Sequence, residues 1–110
     1  MQDCLFCRMA HGEVSTEFVY EDNQIFVIKD IRPKAKIHLL VIPKVHIDSL
    51  AAAQEEQSSL LGYMMCSLKN FAKEQGIDSF RTVINTGAGS GQEIFHLHLH
   101  LLGGGPLPKF

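Results

Sequence analysis

Hydrophobic and polar positions along this chain follow two different periods. From Phe95 to Leu101 apolar residues alternate with histidines. Period two is that of a β-strand, which would turn Phe95, Leu97, Leu99 and Leu101 into a core. His96, His98 and His100 would then share the opposite face with Ile94. A helix would fan the same histidines apart and stack only His96 on His100. Upstream, Phe18-Val19-Tyr20 and Ile25-Phe26-Val27-Ile28 are β-rich runs separated by the turn-forming Glu21-Asp22-Asn23, a hairpin pattern. Ile37–Ile42 is the most continuous apolar run and predicts a central strand, closed by Pro43-Lys44-Val45-His46. Phe80–Asn85 predicts one more strand. Between them, from about Ala53 to Gln75, Leu61, Met64, Leu68, Phe71 and Ala72 recur at helical spacing, with Gly76 as the stop and Cys66 expected as a small buried hydrophobe. Residues 4–11 predict a short helical turn ended by Gly12. Five strands, mostly consecutive, with one long helix imply an α+β domain: an antiparallel sheet covered on one face.

Composition adds bounds to this picture. At 110 residues, 45% hydrophobic and 20% charged, the chain is a single domain, residues 1–110, with enough apolar material for a core and none of the bias of disorder. A formal net charge of -2 gives no reason to expect nucleic acid or an anionic membrane as partner. No apolar run approaches the roughly 20 residues of a membrane helix, and Met1-Gln2-Asp3 lacks a signal-peptide pattern. Three cysteines, an odd number, point to reduced thiols and a cytoplasmic location.

Three imidazoles on one strand face are hard to explain by packing, and two chemistries remain open: metal ligation, or catalysis by a neutral imidazole. Cys4-x-x-Cys7 is half of a tetrahedral metal site, to be completed by two donors among His11, His38, His46 and one member of the row. The loop Asn85-Thr-Gly-Ala-Gly-Ser-Gly91-Gln92 matches neither a P-loop nor a dinucleotide fingerprint. Its glycines nevertheless let backbone N–H groups approach an anion, and it runs straight into the histidine row.

His96-Leu-His98-Leu-His100-Leu-Leu, preceded by Gly-Gln and followed by Gly103-Gly104, resembles the signature of the histidine triad (HIT) superfamily, and of its Hint branch of nucleotide-binding phosphoramidases. Asp30-Ile31-Arg32-Pro33 and His38-Leu-Leu-Val-Ile-Pro-Lys44 resemble two further motifs of that branch, and the likeness runs from Cys4 to about Pro106. The resemblance implies a five-stranded antiparallel sheet with a long and a short helix, in a homodimer joining two sheets. It implies hydrolysis of purine nucleoside 5′-phosphoramidates without a catalytic metal, with His98 attacking phosphorus to form a nucleotidyl-histidine, His100 assisting and His38 flanking the site. Asp30 would bind the ribose hydroxyls and Ile31 would line the base pocket. Asn85, Gly91, Gln92 and Glu93 would surround the phosphate. Cys4, Cys7, His46 and His96 would hold a structural zinc. Glu93 departs from the serine common in the branch, and the tail after Gly104 is short. The competing readings are a dinucleoside polyphosphate hydrolase and a nucleotide-binding or interaction module with incidental turnover.

Overall fold

In the computed structural model, which describes residues 3–110, five strands form one antiparallel sheet. They are β1 (Tyr20–Glu21), β2 (Ile25–Lys29), β3 (Ile37–Pro43), β4 (Phe80–Val83) and β5 (Leu99–Gly103), in the spatial order β1-β2-β3-β5-β4. The apolar run of β3 takes the centre because it is buried on both sides. Its register sets Leu39 opposite Leu101 and Leu40 opposite His100.

Alternation along these strands divides the core in two. Ile25, Val27, Leu39, Val41, Leu99 and Leu101 face the long helix α2 (Ser58–Glu74), which contributes Met64, Leu68, Phe71 and Ala72. Phe26, Ile28, Leu40 and Ile42 face the other way, against Cys4, Phe6 and Cys7 of the short helix α1 (Leu5–Ala10) and its N-cap. The second face is therefore only partly covered, and the uncovered part is a cleft. The β1–β2 turn is held by Asp22, whose carboxylate accepts the Gln24 and Ile25 N–H groups and the hydroxyls of Tyr20 and Tyr63, the last from α2. Burial pushes the Asp22 carboxyl up, but those bonds, Tyr63 foremost, outweigh it and bring the pKa down to about 2.

Four expectations need correction. The helix does not begin near Ala53: Leu50–Ala52 and Glu55–Gln57 are separate 3₁₀ turns, the second closed by reciprocal Gln54–Gln57 capping, and α2 starts at Ser58. Cys66 is exposed, lying between buried Met64 and Ser67 in sequence but turned off their face. Residues 94–98 alternate as a strand would, yet pairing begins only at Leu99. Phe95 accordingly lies 48% exposed while His96 is completely buried. Gly103 closes β5 because a side chain there would meet Ile77 at 2.6 Å and the Ser79 carbonyl at 2.9 Å. Among the described residues no helix is long and apolar enough to cross a membrane.

Candidate active site and metal centre

His38 on β3 and His100 on β5 meet because the register makes them diagonal neighbours on one face of adjacent strands. The Lys34 N–H donates to His38 Nδ1 (3.0 Å), which fixes the His38 proton on Nε2. That N–H points at His100 Nδ1 at 2.9 Å, with the Asp30 carboxylate 3.4 Å away as a second acceptor. His100 therefore accepts on Nδ1 and carries its own proton on Nε2. That Nε2 is buried and has no hydrogen-bond partner among the described residues. Burial pulls the His100 pKa down to about 4, aided by His98 and His38, and burial also lowers His38 against the pull of Asp30. Both rings are neutral at pH 7, and His100 presents an orphan donor awaiting an acceptor.

His98 lies beside His100, ring centroids 5.0 Å apart and planes tilted by 56°. Its Nδ1 lies 2.7 Å from the His96 carbonyl, which only accepts, so the His98 proton sits on Nδ1 and the lone pair on Nε2 is free. Phe6 packs edgewise on this ring, 5.2 Å between centroids.

These histidines line a cleft of about 530 Å³, a size suited to a small-molecule ligand. Asp30, Ile31, Asn85, Gly91 and Glu93 line it too, so the structure gathers nearly every residue that the sequence singled out. Ile31 stands 91% exposed at the mouth. Gly91 has φ 107, a conformation only glycine adopts comfortably, and a Cβ added there would come within 4.0 Å of the Asn85 side chain. Gln92 has a different place. It is 4% exposed and does not line the cleft. Its Oε1 accepts the Gly87 N–H (2.8 Å), while Nε2 donates to the carbonyls of Asp48 (2.8 Å) and Ile94 (3.1 Å). Gln92 braces the glycine loop from behind. Sequence reasoning missed the apolar wall formed by Leu5, Phe6 and Met9 with Ile28 and Leu40. Its only signal was a short helix with more apolar residues than its cysteine pair requires.

Of the open candidates for the metal half-site, His46 and His96 join Cys4 and Cys7; His11 is exposed beside Glu13, and His38 belongs to the cleft. The donor atoms lie 3.1 Å (His46 Nδ1–His96 Nδ1), 3.2 Å (Cys7–His46), 3.3 Å (Cys4–His96) and 3.6 Å (Cys7–His96) apart. Zinc bonds of about 2.0–2.3 Å at tetrahedral angles require edges of about 3.3–3.8 Å, close to these. The tautomers agree. His96 Nε2 donates to the Pro43 carbonyl at 2.7 Å and His46 Nε2 to Asp48 at 2.6 Å, so both Nδ1 lone pairs face one another. Burial, with Cys4 adding to it, pushes the Cys7 thiol up to about 11, and burial pulls His96 down to about 4. Opposed lone pairs and buried thiols fit a cation at their centre. Asp30, His38 and His100 also converge, but the Lys34 N–H makes His38 Nε2 a donor there rather than a ligand.

The two sites touch through His96. Its ring belongs to the metal centre and its carbonyl holds His98.

A family model described as "Scavenger mRNA decapping enzyme C-term binding" matches residues 3–105. The chain is 52% identical over 104 residues to Protein HitA of Neisseria gonorrhoeae, an alignment covering 94% of this chain and 97% of that protein. A crystal structure of a HIT family hydrolase from Legionella pneumophila superposes with a TM-score of 0.93 at 42% identity, covering 96% of each chain. A zinc-bound histidine triad family protein from Mycobacterium smegmatis superposes with a TM-score of 0.78 at 32% identity, over 91% of this chain and 73% of that one.

Proposed function

The chain belongs to the histidine triad (HIT) superfamily, and on that premise we propose that it is a nucleotide-binding hydrolase that cleaves the P–N bond of purine nucleoside 5′-phosphoramidates. The observation that carries this reading is the pair of tautomers in the cleft: a free lone pair on His98 Nε2 beside an unpartnered N–H on His100 Nε2. The first is a nucleophile and the second a donor for a phosphoryl oxygen. His98 Nε2 attacks phosphorus while its Nδ1–H, anchored on the His96 carbonyl, steadies the ring as positive charge develops. The P–N bond breaks as the amine takes up a proton from solvent, and water then attacks the nucleotidyl-histidine, returning a proton to solvent as the nucleotide is released and His98 restored. His100, held by the Lys34–His38 chain, keeps its N–H on the phosphoryl oxygen through both steps. Asp30 takes the ribose hydroxyls, Ile31 with the apolar wall takes the base, and Asn85, Gly91 and Glu93 surround the phosphate.

Cys4, Cys7, His46 and His96 hold zinc on this reading. Four protein donors leave no open position, so the ion's part is architectural. A homodimer is expected, and Phe80 on the free edge β4, with Met65 on α2, offers apolar surface to a second copy. The three free cysteines fit a reducing, cytoplasmic setting.

The test is His98→Ala, assayed with a fluorogenic adenosine phosphoramidate. Turnover should fall by several orders of magnitude, because no other group opens the covalent path, while AMP binding and folding persist. Trapping of labelled nucleotide on His98 during turnover would support the reading. A label on His100, or near-normal turnover by His98→Ala, would overturn it.

A further inference from the structure

The segment from Lys29 to Lys36 is electrostatically unlike the rest of the chain. It holds four of the ten Lys/Arg and one of the twelve Asp/Glu, so the remainder has six against eleven. Three of its cations, Lys29, Arg32 and Lys34, line the cleft, and all three are exposed. Among the described residues none of the three has a carboxylate partner. Among the described residues the ion pairs of lysine and arginine are Arg8–Asp3 and Lys44–Glu21. The one acid of the segment, Asp30, is turned to His38 and accepts the Arg32 backbone N–H at 2.8 Å. Lys34 Nζ folds back toward the Arg32 carbonyl, 3.3 Å away, which keeps its charge beside the arginine.

A single 5′-phosphate at His98 and His100 leaves this wall without a counterpart. Resting on the nucleotide reading above, we propose that Lys29, Arg32 and Lys34 form a second anion subsite, and that the ligand carries a further phosphate or carboxylate besides the reacting one. Such a group enters either as an extension beyond the reacting phosphorus, on the leaving side, or as a phosphate on the ribose. Unpaired, exposed cations at a cleft mouth suit this task because charge-assisted hydrogen bonds form there with no carboxylate to displace.

Binding separates the two sources without relying on turnover. AMP, α,β-methylene-ADP and adenosine 3′,5′-bisphosphate are titrated calorimetrically into the protein as purified, at about 50 and about 300 mM salt. One of the two ligands that bear a second phosphoryl group should bind about tenfold more tightly than AMP at low salt, with the advantage shrinking at high salt. The methylene analogue assigns the subsite to the leaving side, the bisphosphate to the ribose. The double variant Lys29→Gln, Arg32→Gln should lose the advantage and bind AMP within about twofold of the parent. Lys36→Gln, on the same segment but outside the cleft lining, should keep it. Equal affinity for all three ligands would overturn the subsite, as would an advantage that survives in the double variant or vanishes equally in Lys36→Gln. Failure of AMP and both analogues to bind at all would instead overturn the nucleotide reading beneath it.

Discussion

Replacing Gln92 by methionine should loosen the glycine loop and destabilise the whole domain. Methionine nearly matches glutamine in volume, so no cavity opens at this site, where the side chain is only 4% exposed. What disappears is three hydrogen bonds: from the Gly87 N–H at 2.8 Å, and to the Asp48 and Ile94 carbonyls at 2.8 and 3.1 Å. A typical intramolecular bond contributes about 0.5–1.5 kcal/mol net, and a buried orphan costs more. Asp48 is exposed and its carbonyl can turn to water, whereas Gly87 and Ile94 are half-buried. The sum is about 2–3 kcal/mol. For a domain of this size that lowers Tm by about 10–15 °C. Calorimetry with matched metal content reads it, and AMP titration should show weaker binding because the loop must be ordered by the ligand. Gln92→Glu keeps the acceptor for Gly87 but sets a carboxylate against two carbonyls, so it should be no better than methionine near pH 7. A methionine variant that melts within about 3 °C of the parent and binds AMP equally well would refute the brace.

Two further outcomes follow from the histidine and cysteine clusters. Protein purified without chelator should contain about one zinc per chain, and a Cys4→Ser, Cys7→Ser double variant should lose it along with thermal stability; unchanged metal by elemental analysis would sink the assignment. His100 is depressed to about 4 and His38 is lowered, against about 6.5 when unfolded, so both are neutral in the fold where the unfolded chain binds protons. Their contribution is complete above about pH 6.5 and is lost as pH falls from there toward about 4. Urea midpoints measured across that window should slope less steeply in His100→Asn, and an identical slope would count against the buried neutral pair.

Much of this was legible in the sequence, and the exceptions share a cause. Unbroken apolar runs found β2 and β3, which are buried on both faces, a further short run found β4, and helical spacing found the buried stripe of α2. The same logic misplaced Phe95. There the chain is bent by its own side-chain and loop contacts: Gln92 reaches the Asp48 carbonyl, and the Leu97 N–H donates to Ile47 at 2.7 Å. His96 then turns inward to meet Cys4, Cys7 and His46, contacts spanning 50 to 92 positions in sequence that no local period contains. The helical reading began near Ala53, but the Gln54–Gln57 capping restarts the chain after it and α2 begins only at Ser58. The three histidines looked equivalent on a strand face. Only their partners, Pro43 for His96, the His96 carbonyl for His98 and His38 for His100, divide their roles.

The register between β3 and β5 acts as a gauge of correct assembly. His38 sits opposite Leu102, and Leu40 opposite His100. Sliding one strand by a single residue would send one histidine of the pair to the α2 side and bring a leucine into the cleft. A sheet slipped by one residue therefore cannot retain a weakened form of the His38–His100 contact. A preparation with low specific activity should be a mixture of fully competent and inert molecules rather than a uniformly impaired population. Titrating competent sites with a slowly released ligand would then count correctly folded chains directly.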